Sequence, residues 1–199
     1  MTDIIDTLAG LAPDSPLALI RDRKPLTRQN AQASYRALFE PSDPDGVTLQ
    51  ERFAVACFVA GLHAQDDIAA FYVAGLARTA PSEPFVAALS AETVLGRTTG
   101  PYGAYPKGPL SAEDLPGLGY AVAEPHRVVL GARVTAALAH VHMLVFHPRD
   151  ANTASLQSLL DAGWSNTGVV TLSQLVAFLA FQIRAAAGLR VLAQTRNVP

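Results

Sequence analysis

The chain has 199 residues, half of them apolar and only 16% charged, with a formal net charge of −2. That length supports one generous domain or two small repeats around a shared core, and the absence of a basic cluster excludes the electrostatics of a nucleic-acid binder. A single cysteine, Cys57, excludes an intramolecular disulfide and makes the cytoplasm the expected compartment.

The amino terminus, "MTDIIDTLAG", lacks the basic and apolar regions of a signal peptide. No apolar stretch reaches the roughly 18 residues of a spanning helix without a charge or a histidine, so no membrane segment is expected. Residues 1–45 read as an extension of short helical pieces broken by Pro13, Pro16, Pro25, Pro41 and Pro44. Within it, 28–39 predicts one helix that packs through Tyr35 and Leu38. A first helical half follows over 46–98. It opens at 48–62, where Thr48 and Glu51 form a T-x-x-E capping box. Gly61 is expected to weaken or bend that helix before a second segment at 63–77.

Residues 99–125 are rich in glycine and proline, a connection long enough to be functional or to pack across a neighbour. Tyr102, Tyr105 and Tyr120 either line a pocket there or anchor the irregular chain. The second helical half spans 126–199. Its first segment, 126–147, is apolar on nearly every face and predicts a buried central helix. Asn152 or Thr153 opens a short helix that ends near Gly163, and 171–192 begins with a T-x-x-Q box and keeps apolar residues at helical spacing. No segment alternates with period two, so the fold class is all-α, one compact domain built of two helical halves.

The chemistry concentrates in "ALAHVHMLVFHPRD", with His140, His142 and His147 in an otherwise apolar run. On a helix His140, Met143 and His147 lie along one stripe, while His142 sits about 200° away from His140. The three therefore do not converge on one ion. His63 with Asp66 or Asp67 has metal-ligand spacing, but neither half supplies three convergent ligands, so no metal or cofactor is expected. For each histidine the plain alternative is a satisfied core side chain, and Glu51 already has a capping role.

The helical halves with their polar positions resemble the carboxymuconolactone decarboxylase superfamily, in particular the peroxidase-related, alkylhydroperoxidase D-like proteins. That family carries a glutamate, eleven residues, then C-x-x-C-x-x-x-H. Here Glu51, His63, Asp66 and Ala70 stand at those positions in the first half. In the second, His140, Met143 and His147 stand where Cys, Cys and His would be, with Val128 in place of the glutamate. The stretch 161–192 resembles the helix pair that follows the motif. The resemblance implies an alkylhydroperoxidase D-like helical fold of two repeats, a homo-oligomer, and chemistry without metal or cofactor. Thiol peroxidase activity is not expected, because the redox dithiol is missing. The site residues expected are His63, His140, His147 and Glu51, acting as an acid–base set on a small-molecule ligand. The alternative is a non-catalytic assembly subunit, or a partner of a redox-competent paralogue.

Overall fold

The computed structural model describes residues 3–44 and 46–196, and it is all-α, with no strand among the described residues. Positions 1, 2, 45 and 197–199 of the expected segments lie outside the described residues. The amino-terminal extension forms α1 (Ile4–Ala9), α2 (Pro16–Asp22) and α3 (Pro25–Phe39). Asp3 caps α1, and the same carboxylate receives Arg21 and Arg28, so the cap and the ion pairs tie the three helices together. Tyr35 and Leu38 on α3 are buried, as their spacing predicts. The extension lies on the body, α1 and α3 both against the last helix of the chain.

Three helices follow: α4 (Leu49–Leu62), α5 (Asp66–Ala77) and α6 (Glu83–Leu95). The capping box of α4 is present with both of its hydrogen bonds. Gly61 does not bend α4, which runs through it to Leu62. Its role is close approach: a Cβ at Gly61 would lie 2.2 Å from Thr93 Cγ2 of α6, so only glycine lets these helices pack this tightly. Helix α6 starts at Ser82, whose hydroxyl accepts from the Phe85 amide.

A strap over residues 96–123 then crosses to the last three helices. It holds one short 3-10 turn (Pro109–Glu113) and an isolated antiparallel bridge between Gly103 and Leu115. Helix α7 (Glu124–Phe146) is broken at Gly131, whose φ of 77° and ψ of 162° interrupt the helix and start it again. After α7 come α8 (Thr153–Asp161) and α9 (Asn166–Arg196), so the last helix begins earlier than the T-x-x-Q box suggests. Its cap is Ser165, which accepts from the Gly168 amide. By length and hydropathy α7 and α9 each reach the size of a membrane span, which the sequence reading did not expect. Both nevertheless pack against α4 and against each other. One continuous apolar core runs from α1 to α9, and α4 lies at its centre with eleven buried residues.

Candidate functional site

The four residues expected to form one acid–base set occupy separate surroundings. Glu51 sits in the first turn of α4 and His63 just beyond its last, about 18 Å apart at the rise of an α-helix. Glu51 is also fully engaged. One carboxylate oxygen accepts from the Thr48 amide at 2.8 Å, and the other accepts from Arg133 Nε at 2.7 Å. Arg133 in turn donates to the Gly163 and Gly46 carbonyls and stacks on Trp164, so the group clamps the start of α4 to α7 and α8. Glu51 is therefore a structural carboxylate, and its expected place beside His63 is corrected by the geometry of α4.

His63 is the C-cap of α4, and the cap geometry fixes its ring. Nδ1 donates to the Val59 carbonyl at 2.9 Å, and because a carbonyl only accepts, the neutral ring carries its proton on Nδ1. Nε2 is left as a bare acceptor, shielded from solvent and without a partner. Burial pushes the imidazole pKa below its usual value; the Val59 bond pulls part of the way back, and the charge of Arg184 lowers it further. His63 is thus neutral near pH 7. It lines a cavity of about 390 Å³ whose wall is largely apolar, from Leu62, Pro101, Leu144 and Phe146, and which Arg184 of α9 also lines. Among the described residues no hydrogen bond or ion pair engages the Arg184 guanidinium. Asp66 and Asp67 do not turn to His63 as metal ligands: they face Arg97 at 3.7 Å and Arg190 at 3.3 Å.

The histidines of α7 separate differently from the expected stripe. His140 is 5% exposed, and both of its ring nitrogens lack partners. His142, expected to point away from the other two, is the one that meets His147, with ring centroids 5.9 Å apart. The reason is that the helix ends: His147 leaves α7 with φ −144°, so the i,i+7 stripe does not extend to it. Buried His142 donates Nε2–H to the Gly96 carbonyl at 2.9 Å and stacks on Tyr120. His147 bonds through Nδ1 to Asp150 at 2.9 Å and stacks on Tyr102. The Ala104 amide, and after it His147, hold the Asp150 carboxyl below the usual carboxylate range. This dyad lines a second, more open cavity of about 470 Å³, walled by the strap through Tyr102, Asp114, Leu115 and Gly117.

The strap divides the two cavities. Gly100 and Pro101 line the His63 side, Tyr102 and Gly103 the His147 side, and the Tyr102 amide donates to the Phe146 carbonyl between them. Its far end is held by a buried carboxylate that the sequence reading did not single out. Glu92 of α6 is fully buried and accepts from Tyr120 Oη, the Ala123 amide and His126 Nδ1. Burial alone would raise its pKa, but the bonds from His126, Tyr120 and Ala123 outweigh it, and the carboxyl stays below its usual value. Tyr102 and Tyr120 thus anchor the strap, while Tyr105 lies under Arg149 near the surface.

The chemistry within reach is proton transfer and binding. Cys57 is buried, and burial pushes its thiol up to about 12, so the thiolate needed for peroxide reduction is not available near neutral pH. Among the described residues no three His, Cys, Asp or Glu side chains come together as metal ligands. Sequence reasoning missed Arg184, Asp150, Glu92 and His126. The i,i+3 spacing of His147 and Asp150 in "HPRD" was a usable signal; nothing local announced Arg184, which lies 121 positions after His63. No family model matches the chain, and neither a curated protein nor a solved structure matches it significantly.

Proposed function

We propose that this chain is an alkylhydroperoxidase D-like, carboxymuconolactone decarboxylase-like protein without the redox dithiol. In this reading it acts on, or binds, a small molecule by acid–base chemistry without a cofactor. His63 is the base. The observation that carries the reading is the ring of His63: its tautomer is fixed by Val59, its Nε2 is buried without a partner, and the ring borders a largely apolar cavity. A neutral imidazole in this state accepts a proton at Nε2, and the Val59 carbonyl then steadies the imidazolium through Nδ1–H. The depressed pKa keeps the base unprotonated at neutral pH at some cost in basicity. His147, oriented by Asp150, lies across the strap as a second proton carrier, and His140 and Glu51 have no part in the reaction.

A thermal-shift screen of small molecules on the wild type and on His63→Gln tests this. Compounds that stabilise the wild type are expected to lose their effect in the variant. Equal stabilisation of both proteins by every hit would count against a site at His63.

A second reading rests on a different observation. Helix α9 presents apolar residues to solvent at Val170 (55% exposed), Phe181 (49%) and Val191 (58%), spaced along one face of a 31-residue helix. That face suits a homo-oligomer, and an assembly subunit needs no catalysis. Oligomerisation and a working His63 are compatible, and a cytoplasmic homo-oligomer with a small-molecule site is the combined proposal.

A further inference from the structure

We infer that the strap segment 103–117 is a lid whose closure orients the His147–Asp150 dyad, with Asp150 as the positioning residue that joins the two; this rests on the proposed role of His147 as a proton carrier. The Asp150 carboxylate serves both partners. Oδ1 accepts from the Ala104 amide of the strap at 2.8 Å, and Oδ2 accepts from His147 Nδ1 at 2.9 Å. A carboxylate held by a donor on each oxygen is fixed in its plane, so the strap amide helps set the direction from which His147 is met. Gly103 shows how closely the strap rides on this group: a Cβ there would lie 2.5 Å from Asp150 Oδ2, at a φ of 106°. The Ala104 amide is also the foremost influence holding the carboxyl below its usual range, ahead of His147.

The segment is built to move as one piece. Gly103 and Leu115 exchange both of their backbone hydrogen bonds, and Asp114 accepts from the Tyr105 amide, which closes the segment on itself. None of its residues is buried. Its two ends are pinned: buried Tyr102 donates its amide to Phe146 and its hydroxyl to the Leu118 carbonyl, and Tyr120 is held by Glu92. Between the pins, the short 3-10 turn Pro148–Asp150 grips the segment. Asp150 takes the Ala104 amide, and Arg149 lies over Tyr105 at 3.9 Å and donates to the Glu113 carbonyl at 3.4 Å. Beneath the segment lies the cavity of about 470 Å³, and the residues that line it from outside the strap are His147 and Asp150. Lifting the lid opens the dyad to solvent and in the same step takes one of the two donors from Asp150. Lowering it excludes water and restores the orientation.

Two measurements on the full chain test this: hydrogen exchange resolved to single amides, and nitrogen-15 NMR of the histidine rings at about pH 8, where imidazole is neutral. Gly103→Ala leaves both members of the dyad in place while its Cβ pushes the strap off the carboxylate. Exchange of the Ala104 amide is expected to rise about tenfold in Gly103→Ala and in Asp150→Ala, while the Tyr102 amide stays slow. In Gly103→Ala the His147 ring, protonated on Nδ1 alone in the wild type, should become a mixture of both tautomers. Tyr105→Ala, which removes the Arg149 contact and leaves the dyad untouched, should shift both readings the same way, and it decides the case if Gly103→Ala does not fold. Faster Ala104 exchange with an unchanged His147 ring would overturn the coupling and leave His147 a proton carrier without a lid. Exchange at Ala104 that matches the wild type in Asp150→Ala would overturn the hold of Asp150 on the strap. A wild-type His147 ring protonated on Nε2 would remove the Asp150 bond itself, and with it both this inference and the proposed role of His147.

Discussion

At the scale of single residues, neighbours decide what each candidate does. Two carboxylates show the contrast: Glu51, partly buried, caps α4 and pairs with Arg133, and Glu92 is buried and saturated with donors. Glu51→Ala removes a capping box and an ion pair with Arg133, and it should cost about 1–2 kcal/mol in denaturant unfolding. Ligand binding at the His63 cavity should not change, because the two positions lie at opposite ends of α4. A loss of binding with unchanged stability would contradict the assignment of Glu51 as structural. For Cys57, turnover of an organic hydroperoxide with a dithiol reductant is expected to stay at background and to be insensitive to Cys57→Ser. His142 supplies a pH dependence. Burial, and more weakly His147, hold its pKa down to about 4 against the pull of the Gly96 bond, while an unfolded chain binds the proton near pH 6.5. Stability is then full above pH 6.5 and falls as pH drops towards 4, by roughly 3 kcal/mol. His142→Phe should flatten that part of the stability profile; an unchanged slope would place the acid sensitivity elsewhere.

Elements show where sequence patterns carry information and where they stop. The start of α4 was legible because both partners of its cap, Thr48 and Glu51, sit within one turn. The early start of α9 was not, because Ser165 caps it ahead of a glycine and before any apolar periodicity begins. Helix α6 was not anticipated: Ser82 followed by a proline in its first turn marks its start, but its apolar positions do not mark one face clearly. The break in α7 lies at a glycine that an apolar run disguises. Gly131→Ala meets no atom within 4 Å, so its cost is one of backbone conformation alone, about 1–3 kcal/mol at this φ and ψ. The site itself was half legible. His63 was marked by its spacing from Glu51 in the resemblance, but its surroundings, Arg184 among them, arrive only when α9 packs on α4. The strap is the element on which both cavities depend. Glu92→Ala strands the Tyr120 hydroxyl, the Ala123 amide and His126, and should destabilise the protein by about 2–4 kcal/mol. Hydrogen exchange over residues 97–123 should speed up before that of α4; uniform acceleration across the chain would show that the strap has no separate hold.

For the whole molecule, the all-α class followed from composition and period, since no stretch alternates and alanine-rich helices pack closely. Helices α4–α6 precede the strap and α7–α9 follow it, with α4 and α7 in contact. The proposed assembly belongs to this scale: light scattering at micromolar concentration is expected to give a multiple of the 21.0 kDa chain mass. Phe181→Asp should reduce it by placing a charge on the exposed α9 face. A monomeric wild type would remove the assembly reading and leave the cavity untouched.

The central claim is that His63 is a neutral base with a bare Nε2 at neutral pH. Nitrogen-15 NMR of histidine-labelled protein, assigned with His63→Gln, reads that state directly. The account predicts a His63 ring at pH 7 protonated on Nδ1 alone and titrating below pH 6.5. A ring protonated on Nε2, or one that titrates above 6.5 in the ligand-free protein, would contradict it.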